Sequence, residues 1–159
     1  MSEVEFDKNC YATPWDFYNR CNEEFRFQLD AAAEPSTAKH KKFVTRDQNV
    51  LSMTFKKKRI WLNPPYADPD YKMEKWIEWC SRMCHKYGNT IAALILSSTD
   101  TNYWHDIILQ EASEIRNIQN RIWFELDGVP QKNNRYLNSL VIFRPGITGA
   151  RLTSMSARL

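Results

Sequence analysis

Glycine is scarce in this chain: Gly88, Gly128, Gly146 and Gly149 are the only four in 159 residues. A cradle of backbone amides around a phosphate needs glycines close together, so neither a P-loop nor a dinucleotide-binding fingerprint is present. Apolar runs of membrane-spanning length are missing as well. The start, MSEVEFDKNC, is too acidic and polar for a signal peptide, and no contact with a membrane is expected. Charge of one sign is also lacking, since the formal net charge is only +3. That value is compatible with a nucleic-acid partner without demanding one.

Cysteine is limited to Cys10, Cys21, Cys80 and Cys84. They read as reduced thiols of a cytoplasmic protein. Cys80 and Cys84 share a helix face beside His85, but no second ligand pair follows at zinc-like spacing, so packing explains them and no metal site is expected. Internal repeats and low-complexity segments are absent.

What is present suits a folded globule: 43% hydrophobic and 13% aromatic residues. One domain is expected over residues 1–145, with a small, polar and basic flexible tail over 146–159. Thr13-Pro14 predicts a helix start, a Thr cap with Pro in the first turn, and Trp15, Tyr18 and Cys21 follow at helical spacing to about Glu24. Phe25–Leu29 alternates and predicts a strand ending at Asp30. A short strand over Phe43–Thr45, a turn or short helix over Val50–Phe55 and a strand over Arg59–Leu62 come next. Asp68-Pro69-Asp70 opens a helix that Gly88 stops.

Thr90–Leu96 is an unbroken apolar run, as in a strand covered on both faces of a parallel sheet. A helix over Thr101–Ala112 and a strand over Ile115–Gln119 follow. Arg121–Leu126 and Leu140–Phe143 are expected to close the sheet as an antiparallel hairpin around the polar loop Asp127–Asn138. Strands alternating with helices predict an α/β domain with a mostly parallel sheet and helices on both faces. Ligands of such sheets bind beyond the carboxyl ends of the strands. Asp30, Asn63 and Ser97 each fall just after a predicted strand, so three polar groups share one edge.

The stretch Asn63-Pro64-Pro65-Tyr66 has definite chemistry. The Asn side-chain oxygen and the Pro64 carbonyl are two acceptors, which together take both hydrogens of an exocyclic amine. The prolines fix φ and withhold donors, so the acceptors stay in place. Tyr66 offers a flat face to a base. An amine held this way loses conjugation with its ring, and its lone pair becomes available to attack an activated methyl. The plainer reading is a rigid strand exit with Asn63 capping a turn. Asp30, followed by Ala31-Ala32, combines a carboxylate for a donor's ammonium or ribose hydroxyls with a close-packed strand end. Thr13 offers a hydroxyl at a helix start for the donor's carboxylate. Each of these residues alone reads equally as a cap.

Taken in order, Thr13-Pro14, Phe27–Ala32, Trp61–Tyr66, Ser98-Thr99-Asp100-Thr101 with Trp104-His105, Arg121–Phe124 and Asn138–Phe143 resemble the small phage-type DNA adenine-N6 methyltransferases, the phage Dam family. The resemblance runs from about Tyr11 to Pro145. It implies a trimmed Rossmann-like methyltransferase fold, S-adenosylmethionine as cofactor, DNA as partner and the host cytoplasm as location. It further implies catalytic roles for Asn63, Pro64, Pro65 and Tyr66. Thr13, Pro14, Asp30, Ala31, Ala32, Asp47 and Asn49 are expected at the donor, and Ser98, Thr99, Asp100 and Trp123 at the substrate. Lys132 and Arg135, in a loop that mixes phosphate-binding and base-reading side chains, are expected to reach DNA.

Three departures from the family pattern stand out. The interval from Asp30 to Asn63 is too short for two helix–strand crossovers. Asn49-Val50-Leu51 stands where the family often has Asp-x-Leu, with Asp47 just upstream, and Asn120 stands where it often has Gly. The same tetrad also serves enzymes that methylate RNA amines or protein glutamine amides, and a non-catalytic binding or decoy protein is a further alternative.

Overall fold

In a computed structural model, which describes residues 11–159, eight strands and three helices alternate as the sequence predicts, with several differences of local cause. Helix α1 spans Trp15–Phe25. It runs one residue further than expected because Arg26 enters the left-handed region at φ 51° and caps it through its N–H to the Asn22 carbonyl. Phe25–Gln28 is therefore helix end and coil, and strand β1 is only Leu29–Asp30. The N-cap is Pro14, and Thr13 makes no capping hydrogen bond.

The connection from β1 to strand β2 (Arg59–Leu62) contains no helix except two 3-10 turns, Arg46–Gln48 and Val50–Ser52. Phe43 forms a single bridge to Asp30 rather than a strand. Helix α2 spans Met73–His85 and starts later than Asp68, whose carboxylate instead accepts from the amides of Asp70 and Tyr71. Strand β3 is Thr90–Leu96, as predicted. The expected helix over 101–112 is one π turn, Trp104–Ile108, leading into the short helix α3, Leu109–Glu111. Strand β4 is Glu114–Gln119.

Strands β5 (Glu125–Leu126) and β6 (Val129–Pro130) form a separate small hairpin. Strand β7 (Asn138–Phe143) does not pair with it. It inserts antiparallel between β3 and β4, so the antiparallel member lies inside the sheet rather than at its end. The predicted flexible tail is also corrected: Arg151–Ser156 is strand β8, parallel to β4. Arg20 ties its end through hydrogen bonds of 2.9 Å to the carbonyls of Ser156 and Ala157. An edge strand of mixed polar and apolar residues owes its order to the backbone ladder, which leaves no periodic signature in sequence.

The main sheet runs β1-β2-β3-β7-β4-β8, with only β7 reversed. Its pleat sorts side chains by parity. Ile60, Leu62, Ile91, Ala93, Ile95, Val141 and Phe143 pack under α2. Trp61, Ala92, Leu94, Leu140 and Ile142 pack under α1 with Phe17, Tyr18 and Phe27. Each large buried side chain contributes roughly 1.5–3 kcal/mol of transfer free energy, so two covered faces make the sheet a rigid platform. Cys80 and Cys84 are buried in this core on α2. No described helix is long and apolar enough to cross a membrane.

Candidate functional site

The carboxyl ends of β1, β2 and β3 lie on one edge because these strands are parallel, and the start of reversed β7 joins them there. A cavity of about 670 Å³ opens at this edge. That is within the range of small-molecule sites and has room for a donor and a base. Its walls include Thr13, Asp30, Ala31, Ala32, Asn49, Asn63, Pro64, Pro65 and Tyr66.

Asn63 follows β2 directly. Its Nδ2 donates to Thr13 Oγ1 at 3.1 Å, so the amide oxygen is left as the acceptor. Thr13 is buried, and it reaches this place because Ala12 and Glu125 exchange both backbone hydrogen bonds at 2.8 Å. Tyr66 is anchored at its far end: its hydroxyl donates to the Leu94 carbonyl at 3.0 Å and accepts from Asn138 Nδ2 at 3.3 Å. Burial holds the phenol well above its ordinary pKa, against the Asn138 hydrogen bond. The ring meets Phe124 edge-on, with centroids 6.2 Å apart.

Asp30 ends β1 and is buried. Its oxygens accept from the amides of Lys39 at 2.9 Å and Ala32 at 3.3 Å. Burial dominates these contacts and pushes its carboxyl up to about 6. A carboxylate kept so far from water, at the wall of a cavity, is poised for a cationic or hydroxyl partner.

Other predicted residues fall elsewhere. Asp47 is exposed and does not line the cavity, whereas Asn49 does, from the left-handed cap between the two 3-10 turns. Pro14 caps α1 outside the wall. Ser98, Thr99 and Asp100 are not in the wall either. Carbonyls of Ser98 and Thr99 meet Thr101 Oγ1 and His105 Nε2 at 2.8 Å, in the turn that precedes the π segment. Ser97 shares the edge but bonds Ser139 at 2.6 Å. Trp123 does not line the cavity; its ring carries Arg158 at 3.9 Å and Lys132 at 4.9 Å, and Lys132 is likewise outside the wall, whereas Arg135 is on the rim.

Sequence reasoning missed several wall residues. Lys39 gave no signal inside its polar stretch. Asp68 read as a helix cap, but it pairs with Arg46 through Nε at 2.8 Å and Nη2 at 3.3 Å, while Asp70 takes Nη2 at 2.8 Å. This pairing ties the 3-10 segment to the loop beyond Pro65. Trp76 reaches the wall from α2, and its Nε1 is buried with no partner among the described residues.

Comparison with known proteins adds to this geometry. The profile of the Dam family, described as DNA N-6-adenine-methyltransferase, matches residues 2–157. The chain is 31% identical over 144 residues to a DNA N-6-adenine-methyltransferase of Haemophilus phage HP1 (strain HP1c1), covering 87% of this chain and 80% of that protein. It is 34% identical over 103 residues to a DNA N-6-adenine-methyltransferase of Escherichia phage T1, covering 64% of this chain and 38% of that longer relative.

Proposed function

Because the chain belongs to the Dam family of DNA N-6-adenine-methyltransferases, we propose that it methylates the exocyclic amine of adenine in DNA, with S-adenosylmethionine as the donor. The observation that carries this reading is the orientation of Asn63. Its amide nitrogen is held by Thr13, and its oxygen belongs to a side chain in the wall of a cavity large enough for both reactants. Trp76 Nε1, buried with no partner among the described residues, and the buried Asp30 carboxyl fit a polar ligand in that cavity.

The bound donor supplies a sulfonium methyl as electrophile. The chain's own residues do the rest by placement. The target adenine leaves the stack, since its amine is out of reach inside a duplex. Asn63 Oδ1 and the Pro64 carbonyl accept its two amine hydrogens, so the nitrogen lone pair is aimed out of conjugation. Pro65 keeps the loop rigid. Tyr66, fixed by its hydroxyl, gives the base a surface to stack on. Asp30 takes the donor's ammonium or ribose hydroxyls, with Ala31 and Ala32 allowing close approach, and Asn49 accepts from the donor's adenine amine. Thr13 positions Asn63 rather than touching the donor. Arg135 on the rim, with Lys132 and Trp123, meets the DNA backbone. No thiol takes part, and burial pushes Cys21 and Cys84 up to about 12.

The test is to incubate the protein with unmodified DNA and donor, digest to nucleosides and measure masses. N6-methyldeoxyadenosine is expected. Methyl on cytosine, on RNA alone or on protein alone would contradict the reading.

A further inference from the structure

The donor has opposite charges at its amino-acid end, and the cavity has one matching pair. Among the described residues, three cationic side chains line the wall: Lys39, Arg46 and Arg135. Arg46 is held by Asp68 and Asp70 at 2.8 Å each. Arg135 is exposed on the rim. Lys39 differs from both, since its residue exposure is 9% and it makes no ion pair within 4.0 Å among the described residues. Its Nζ lies 4.1 Å from the centre of the Trp15 ring. A cation over an indole face is stabilised without having its hydrogens satisfied. Burying an ammonium in that state is costly unless an anion joins it.

Asp30 does not serve as that anion, since its carboxylate oxygens lie beyond 4.0 Å of Lys39 Nζ; each accepts one backbone amide, that of Lys39 and that of Ala32, which leaves lone pairs open to a ligand. Glu125 and Asp30 raise the charge preference of Lys39, while burial, the larger effect, lowers its pKa. The 2.9 Å bond from the Lys39 backbone N–H to Asp30 Oδ2 fixes the Lys39 main chain against the end of β1. The Asp30 carboxylate and the Lys39 side chain thus line one cavity wall without pairing with each other, with charges opposite to those of the two ends of an α-amino acid.

We propose that Lys39 is a specificity-determining residue of the donor site that binds the donor's α-carboxylate while Asp30 takes its α-ammonium. The assignment rests on the donor reading above. It gives the cavity a way to prefer ligands with an amino-acid end over those with a bare thioether, and it explains a buried lysine in a stretch that otherwise reads as loop.

Calorimetry with two ligands tests this. S-adenosylhomocysteine has the amino-acid end, and 5′-methylthioadenosine lacks it. Lys39→Met should weaken S-adenosylhomocysteine binding about 10- to 100-fold, the usual effect of losing a charged hydrogen bond, and leave methylthioadenosine binding unchanged. Unchanged methylthioadenosine binding also shows that the variant is folded. Lys39→Arg should retain most of the affinity for S-adenosylhomocysteine. If wild type binds both ligands and Lys39→Met holds S-adenosylhomocysteine as tightly, the assignment is wrong while the donor reading stands, and a loss confined to DNA affinity would point to a phosphate contact instead. If wild type binds neither ligand, the donor reading fails and takes the assignment with it.

Discussion

Asn63 Nδ2 and Thr13 Oγ1 are 3.1 Å apart in space and 50 positions apart in sequence. One follows strand β2, and the other precedes helix α1. The bond decides which end of the Asn63 amide is free. A hydroxyl that looked like a helix cap thus becomes the group that sets an acceptor's direction.

Thr13→Val removes that acceptor with little change in shape. We expect kcat to fall about 10- to 100-fold, the scale of a mispositioned reacting group, with S-adenosylhomocysteine affinity near wild type. Thr13→Ser should restore turnover. Steady-state kinetics beside calorimetry checks this, and a loss confined to donor affinity would return Thr13 to the donor site.

Asp30 gives a pH signature with a definite sign. Its carboxyl is at about 6 in the fold against 3.8 ordinarily, so the folded state binds the proton more tightly. Its contribution to stability is full below pH 3.8 and is lost as pH rises through about 6. The loss is on the order of 3 kcal/mol, because each tenfold gain in proton affinity is worth about 1.4 kcal/mol. Urea unfolding between pH 4 and 7 should show it, and Asp30→Asn should flatten the curve. Ligand affinity should run the opposite way, rising as Asp30 ionises.

Tyr66→Phe removes the hydroxyl that donates to the Leu94 carbonyl and leaves Asn138 Nδ2 with the Ile95 carbonyl alone. A cost of about 1–3 kcal/mol in stability is expected, with much of the activity kept because the ring remains. Tyr66→Ala should lose the stacking surface, worth roughly 1–3 kcal/mol per base, and turnover with it. Equal activity of wild type and Tyr66→Ala would remove stacking from the account.

The rim loop makes a prediction about salt. Each phosphate neutralised in duplex DNA contributes about 0.9 to the slope of log affinity against log salt. Replacing Lys132 and Arg135 by Ala should reduce the slope by nearly two and weaken binding across sequences alike. A slope unchanged by both substitutions would exclude this loop as a phosphate contact.

The parts legible in sequence were those with local chemistry. Thr90–Leu96 announced a covered strand because both its faces are apolar, and Asn63-Pro64-Pro65-Tyr66 announced a rigid set of acceptors. Strand β8 was hidden because an edge strand owes its order to partners, here β4 and Arg20. The place of β7 inside the sheet depends on long-range pairing with β3, which no local pattern records. Asp68 and Lys39 were missed for a related reason: one read as a helix start and the other as a loop residue until the fold set them against Arg46 and Trp15. Ser98, Thr99 and Asp100 went the other way, since the turn they form lies outside the cavity wall.

The most direct test of the central claim is single-turnover methyl transfer to DNA by Asn63→Ala, with S-adenosylhomocysteine binding measured on the same preparation. The account predicts that N6-methyldeoxyadenosine formation is abolished while the ligand binds as in wild type. Methyl transfer by Asn63→Ala at a rate comparable to wild type would contradict it.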